Sequence, residues 1–327
     1  MKIVITRRIP ETIKQMMDDL GETYMWEEEN TPIPYELLLE QIKDADALFT
    51  NVSDRIDKKL FQTAPKLRVV STMAVGYDNI DINEATDRGI LVGHTPDVLS
   101  EAVADLTFAL LLATARRIVD ASTFIKEGGW RGWGPMLLTG MNVYNSTLGI
   151  IGMGGIGKGV ARRASGFGMK ILYHNRRRRE DIEQQLGVEY CSLDELLKSS
   201  DYVIMLAPAT SETRKMIGEK ELAIMKPSSI LINTSRGSNV DEAALVTALK
   251  ERRIWGAGLD VFEVEPIDAN HPLIGLENVV LLPHIGSATV ATRMQMAELT
   301  AENIILGLRG ERMIHTVNPQ VYPEEQK

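Results

Sequence analysis

Three residues able to do acid–base and anion chemistry stand late in the chain, each in a polar segment at the end of a predicted strand: Arg236 in NTSRG (233–237), Glu265 in GLDVFEVEP (258–266) and His284 in LPHIGSAT (282–289). A guanidinium forks onto a carboxylate or a polarised oxygen in a way an ammonium does not. An imidazole moves protons near neutral pH, with a reference pKa of about 6.5, and a carboxylate bonded to its far nitrogen fixes its tautomer. Each residue alone reads as a surface charge or a satisfied loop histidine. Together, downstream of the glycine turn described next, they outweigh that reading, because open α/β sheets gather their ligands at the carboxyl ends of strands.

The stretch LGIIGMGGIG (148–157) is a buried strand running into a G-x-G-x-x-G turn at Gly152, Gly154 and Gly157. The first glycine permits the tight turn, the second lets backbone approach a pyrophosphate and the third allows close helix–sheet packing. The next helix carries Val160, Ala161, Ala164 and Phe167 on one face, ends at Gly166 and Gly168, and leads directly into a second strand, KILYH. Strand, turn, helix and strand in that order predict a dinucleotide site. NAD sites usually place an acid at the end of the second strand to hold the ribose 2′-hydroxyl. This chain has His174, Asn175, Arg176, Arg177, Arg178 and Arg179 there. Asn175 can bond ribose or phosphate and Arg176 or Arg177 can neutralise a 2′-phosphate, so NADP(H) is the expected cofactor, with NAD(H) open and no metal expected. Arg178 and Arg179 read as a solvated loop.

These residues need a frame. Short apolar runs (KIVIT, DALFT, LRVVSTMA, GILVG, LGIIGMG, KILYH, YVIMLAP, SILINTS, GAGLDVF, NVVLLPH) alternate with longer amphipathic segments. That pattern predicts parallel strands covered by helices on both faces. At roughly 150 residues per domain, 327 residues suggest two such sheets. Two periodic helices are the candidate crossings: Leu99, Ala102, Val103, Leu106, Ala109, Leu110 and Ala113 up to Arg116–Arg117, and Val290, Met294, Ala297, Ala301, Ile304 and Leu308 up to Gly310. Periodicity alone also fits two core helices of one sheet.

Hydrophobic residues at 44% and charged residues at 25% exclude disordered and collagen-like classes. Thirty-six basic against 45 acidic residues leave a formal charge of −9, which argues against nucleic acid or anionic membrane as partners. The single cysteine, Cys191, excludes an intramolecular disulfide, reads as structural and agrees with a reducing, cytoplasmic compartment. The N-terminal apolar run is too short for a secretory signal, and the stretch from Ala102 to Ala115 is too short and too polar for a membrane span.

With MAVGYDNID (73–81) and HTPDVL (94–99) added, the chain resembles the D-isomer-specific 2-hydroxyacid dehydrogenases over essentially its whole length. Within that family GWRGWGP (129–135) and HIGSAT (284–289) make it most similar to the glyoxylate/hydroxypyruvate reductases, including members that reduce 2-ketogluconate. The resemblance implies two doubly wound α/β domains, a coenzyme domain at 100–287 inserted in a substrate domain made of 1–99 and 288–327, with the active site in a closing cleft between them. It implies that Arg236 and the amides of Val75 and Gly76 hold a 2-keto acid, that His284 is the proton donor on reduction and that Glu265 orients it. Cofactor contacts are implied for Thr107, Gly152, Gly154, Gly155, Ile156, Gly157, Asn175, Arg176, Arg177, Ala207, Pro208, Thr213, Thr234, Ser235, Asp260, Gly286 and Ser287. Relatives often carry Arg where this chain has Gly155, so one phosphate contact is in doubt. Asp260 reads either as a partner of the nicotinamide carboxamide or as a strand-end cap.

Trp133 is implied to reach across a homodimer interface into the neighbour's substrate site, the alternative being a loop tryptophan packed on its own chain. D-lactate, phosphoglycerate and phosphite dehydrogenases stay open as enzyme alternatives. No basic cluster near Asn51–Ser53 or Val75–Tyr77 advertises a second anionic group on the substrate. Nucleotide-sensing corepressors share the fold and keep Arg236, Glu265 and His284. Their long tail is not expected here, the chain ending in VYPEEQK.

Overall fold

In the computed structural model, which describes residues 1–323, the chain forms two compact units. One is Met1–Leu99 with Ala288–Lys327 and the other is Ser100–Ser287. The last four residues of the VYPEEQK end lie outside the described residues.

The first unit is a parallel sheet of β1 (Lys2–Ile5), β2 (Glu22–Met25), β3 (Ala47–Thr50), β4 (Val69–Thr72) and β5 (Leu91–Gly93), in the order β2-β1-β3-β4-β5. Side chains alternate between its faces with the strand period of two. Ile3, Ile5, Ala47, Phe49 and Val69 pack against Ala297, Ala301, Ile304 and Leu308 of the helix Val290–Leu308. Val4, Leu48, Val70 and Val92 meet Leu38, Leu39, Ile42, Leu60 and Phe61 on the other face. Both faces being covered explains why these strands read as continuous apolar runs. Val290 departs from the expected stripe: it opens the helix and is 85% exposed. The edge strand β2 is absent from the apolar runs because its sequence, ETYM, keeps no residue fully buried.

The second unit is a parallel sheet of β6 (Thr147–Ile151), β7 (Lys170–His174), β8 (Glu189–Tyr190), β9 (Tyr202–Met205), β10 (Ile230–Asn233), β11 (Gly256–Leu259) and β12 (Val279–Leu281). Its order is β12-β11-β10-β9-β6-β7-β8. The chain starts at β6, runs outward to β8 and then crosses to β9 on the other side, so the order reverses between β6 and β9, where doubly wound sheets bind their ligands. The helices Ser100–Ala115 and Gly155–Ser165 cover one face through Leu111, Ala104, Val160, Ala161 and Ala164. Phe167, expected on the second of these helices, lies past its end and packs edge-on against Phe108 at 4.9 Å. Leu196, Leu222, Leu245 and Leu249 cover the opposite face. None of the helices among the described residues is long and apolar enough to cross a membrane.

Asp54 ties together the carboxyl ends of β1 and β3. Its side chain is almost fully buried, accepts from the hydroxyls of Thr6 and Thr50 (2.7 Å for the latter) and from Asn51 N and Nδ2 at 3.1 and 3.0 Å, and lies 3.5 Å from Arg7 Nη1. Removing one partner of a buried ion pair leaves the other charge uncompensated. Asp54→Ala should therefore lower the unfolding free energy by about 3 kcal/mol, read from the urea midpoint at unchanged slope. A loss below about 1 kcal/mol would show that the surrounding hydroxyls hold these strand ends without it.

Candidate active site

The glycine turn sits at the end of β6. Gly152 has φ +104, and a Cβ there would come within 2.6 Å of Ala207 N, so no larger residue fits. Around Gly154 the opposite holds: a Cβ would meet nothing within 4 Å, leaving open space in front of the helix Gly155–Ser165. That helix has no acidic residue in its first turn and no side-chain cap, so the leading amides and the positive dipole end at Gly155, Ile156 and Gly157 are available to an anion. These features fit a dinucleotide pyrophosphate.

The turn is tied to the second strand, since Gly152 N donates to His174 O at 3.0 Å and Met153 N to Asn175 Oδ1 at 2.7 Å. The sequence has Asn175 facing the ribose or phosphate. Here its carbonyl oxygen is committed to the turn, leaving the amide nitrogen for a ligand. In the arginine run, Arg178 forks onto Glu183 (2.8 and 2.7 Å) and Arg179 onto Asp181 (2.9 and 2.8 Å). Hydrogen bonds from Arg178 and Tyr173 hold the Glu183 carboxyl down to about 2. Arg176, 77% exposed, has only a 3.4 Å pair with Glu212, and Arg177 has no ion pair or hydrogen bond to another described residue.

The loop after β9 is held by Thr213, whose hydroxyl donates to Pro208 O at 2.7 Å and accepts from Thr210 N at 2.8 Å. Ala207 O accepts from Asn239 Nδ2 at 2.7 Å. At the end of β10 the buried Thr107 donates to Val103 O at 2.7 Å, which makes Thr234 the donor in the 2.7 Å contact between their hydroxyls. Asn233 organises the same loop: its Oδ1 accepts from Ser235 N and Oγ at 3.1 and 2.9 Å, and its Nδ2 donates to Arg236 O at 2.9 Å. This buried asparagine escaped the sequence reading, which took NTSRG for Thr234, Ser235 and Arg236. Gly237, next to Arg236, lies so close to the Phe262 backbone that a Cβ would overlap it.

Glu265 and His284 meet: Oε2 lies 2.7 Å from ring Nδ1, while Oε1 accepts from Phe262 N at 2.9 Å. Burial pushes the Glu265 carboxyl up, but the hydrogen bond and charge of His284, the Phe262 amide and the Arg236 guanidinium together hold it below its ordinary value. An ionised carboxylate only accepts, so the shared proton sits on Nδ1 and Nε2 is the nitrogen left for chemistry. His284 itself has φ +54. The next two amides, Ile285 N and Gly286 N, each donate at 2.8 Å to one oxygen of Asp260. Asp260 is thus the cap of the histidine loop, with a second lone pair on each oxygen for a further donor. Burial raises its pKa against the pull of these amides and of His284. Ser287 follows, partly buried.

In the other unit Val75 and Gly76 follow β4. Ala74 O accepts from Thr95 N at 2.8 Å and Val75 O faces the His94 ring Nδ1 at 3.0 Å, whereas Val75 N and Gly76 N donate to no described residue. A single cation, not a basic cluster, stands beside Asn51–Ser53: Arg7 Nη2 donates to Ser53 Oγ at 2.8 Å, and Asp54 offsets its charge. Arg7 is 46 residues away in sequence, so local composition could not reveal it.

A glycine turn at the switch point of a doubly wound sheet, with a guanidinium and a carboxylate–imidazole pair on neighbouring strand ends, is the layout of a dinucleotide-dependent oxidoreductase. The family described as "D-isomer specific 2-hydroxyacid dehydrogenase, NAD binding domain" matches residues 108–286. A glyoxylate reductase of Korarchaeum cryptofilum (strain OPF8) is 52% identical over 321 residues, covering 98% of this chain and 96% of its own. One of Pyrococcus furiosus is 52% identical over 324 residues, with 98% and 96% covered. Among solved structures, a protein of Thermus thermophilus superposes with a TM-score of 0.90 at 41% identity, covering 97% of this chain and 100% of that one. An NADPH-dependent glyoxylate/hydroxypyruvate reductase of Sinorhizobium meliloti, solved with NADP and malonate, gives 0.86 at 35% identity, with 97% and 96% covered. The chain belongs to the D-isomer-specific 2-hydroxyacid dehydrogenase family.

The lowered Glu265 pKa fixes the sign of a pH effect. A carboxyl lowered on folding adds stability above its unfolded value, about 4.3, and that stability is lost as pH falls through the folded value. The stability gap between wild type and Glu265→Gln should therefore be full above about pH 4.3 and close below it, followed by urea unfolding at stepped pH. A gap independent of pH would show that the carboxyl is not lowered.

Proposed function

We propose that this protein reduces glyoxylate and related small 2-keto acids, such as hydroxypyruvate, to 2-hydroxy acids, with NADPH preferred over NADH. The Glu265–His284 pair under the influence of Arg236 carries the reading. Bound reduced nicotinamide supplies the hydride to the substrate's carbonyl carbon. Arg236 forks onto a carboxylate oxygen and the carbonyl oxygen, polarising the bond. The amides of Val75 and Gly76 take the other carboxylate oxygen. His284 Nε2 passes its proton to the carbonyl oxygen as charge builds there, and Glu265 at Nδ1 fixes the ring and its tautomer. The glyoxylate reductases at about half identity over nearly the full chain support the substrate class.

In this reading the unit Ser100–Ser287 holds the coenzyme, through the glycine turn, Thr107, Ala207, Pro208, Thr213, Thr234, Ser235, Asp260, Gly286 and Ser287, and the other unit contributes to the substrate site. Arg177, unpaired among the described residues, and the weakly paired Arg176 support a 2′-phosphate, whereas Arg178 and Arg179 are spent on their own carboxylates. A homodimer fits this reading: Ile118, Ile125, Trp130, Trp133, Met136 and Tyr144, close in sequence, leave apolar side chains exposed, Trp133 at 83%. Cys191, buried with its thiol pushed up to about 11, suits a structural role and a reducing cytoplasm.

The purified protein should oxidise NADPH when glyoxylate is added, and His284→Ala should cut kcat at least about a hundredfold while NADPH binding, followed by fluorescence, persists. Near-normal turnover by that variant would overturn the assignment. Replacing Arg176 and Arg177 together by alanine should lower kcat/KM for NADPH about tenfold or more and spare NADH. A preference for NADH already present in the wild type would sink the cofactor proposal. Sedimentation at micromolar concentration should give a dimer; a stable monomer would remove Trp133 from any neighbour's site.

A further inference from the structure

His94 stands just beyond β5 and its ring Nδ1 lies 3.0 Å from Val75 O. A carbonyl only accepts, so Nδ1 carries a proton. Burial pushes the ring toward its neutral form, whose single proton is then the one in this bond. One residue on, Thr95 N holds Ala74 O at 2.8 Å. In a trans peptide the C=O and the N–H point in opposite directions, so anchoring these two carbonyls aims the N–H groups of Val75 and Gly76 away from the 94–95 segment. Neither N–H is used within the described residues.

The clamp is itself held firmly. Asn303, fully buried on the helix Val290–Leu308, donates from Nδ2 to His94 O at 3.2 Å and accepts at Oδ1 from His315 N at 3.2 Å. The His94 ring is edge-on to Tyr77 at 5.5 Å and to His315 at 6.2 Å. Thr95 acts through its backbone and would do so with any non-proline residue. His94 acts through its side chain, and the bond it makes fixes the peptide that carries the Gly76 amide.

We propose that His94 is a positioning residue for substrate: its Nδ1–H pins the Val75–Gly76 peptide so that the Gly76 N–H is presented to the substrate carboxylate. The proposal rests on the reading that these amides bind that carboxylate. It separates two kinds of substitution. Asparagine places its Nδ2 as many bonds from the backbone as His Nδ1 and keeps the donor, whereas valine fills space and donates nothing.

The test is steady-state kinetics of the dimeric holoenzyme at saturating NADPH, with thermal unfolding recorded for each variant. His94→Val should raise KM for glyoxylate about tenfold, with kcat and the KM for NADPH within about twofold, because a contact to the carboxylate is equally present in the ground and transition states. His94→Asn should return KM to near the wild-type value, and the inhibition constant of oxalate should follow the same order. Should His94→Val not fold, His94→Gln, whose amide sits one methylene too far out, takes its place with the same expectation. An unchanged KM in the donor-removing variant, or an equal defect in His94→Asn, overturns the proposal. Gly76→Pro, which deletes the N–H, distinguishes the two failures. If it too leaves KM unchanged, the carboxylate reading is wrong; if it alone raises KM, only the role of His94 is wrong.

Discussion

His284 occupies a left-handed backbone conformation, φ +54, that residues with a Cβ usually avoid, and two carboxylates from one strand end keep it there. Glu265 holds the ring and Asp260 the two amides that follow. Both come from the segment after β11, whose register against β10 pairs Leu259 with Asn233 and continues in the bond from Asp260 N to Asn233 O. Asn233 in turn shapes the loop that carries Arg236. One pair of neighbouring strand ends therefore sets the imidazole, its orienting carboxylate and the guanidinium together. The central strands β9, β10 and β11, buried throughout, keep that register from slipping.

Charge in this protein is organised locally. A formal charge of −9 gives no overall attraction for an anionic substrate or cofactor. Within the arginine run two guanidinium groups are consumed by Glu183 and Asp181, and what remains is cationic character confined to Arg176 and Arg177. Arg7 beside Ser53 is likewise balanced by Asp54. Its role is to complete a buried network at the ends of β1 and β3, and it adds little net field for a second anionic group.

Much of this was legible in sequence, for identifiable reasons. The glycine turn shows in sequence because its three glycines fall within one short segment, although His174 O, Asn175 Oδ1 and Ala207 N also shape it from further along the chain. Arg236, Glu265 and His284 stood out together, because three such groups fall at the ends of predicted strands downstream of the glycine turn. The residues that escaped, Asn233, His94 and Arg7, share a different property. Their meaning lies in a partner brought near by the sheet, as with Val75 O for His94 and Ser53 for Arg7. The short edge strands β2 and β8 escaped because they are partly or wholly exposed and lack an apolar run. Asn175, just past the end of β7, reads in sequence as a ligand contact, and the fold engages its side-chain oxygen at Met153 N.

Each unit carries a loop whose backbone N–H groups have no acceptor among the described residues. In one, the leading amides of the helix Gly155–Ser165 lie at the helix start, where no intrahelical acceptor exists for them, and Gly154 leaves the approach open. In the other, the carbonyls of Ala74 and Val75 are engaged by Thr95 and His94, and the amides of Val75 and Gly76 are left to face outward. Oriented N–H groups act over a few ångströms, well inside the screening length of about 8 Å at physiological salt. An acidic surface further away therefore does little to weaken them. Which N–H groups a loop presents depends on which carbonyls are held, and so on residues such as His94. A strongly negative total therefore leaves room, at two loops, for backbone N–H groups that could face negatively charged groups.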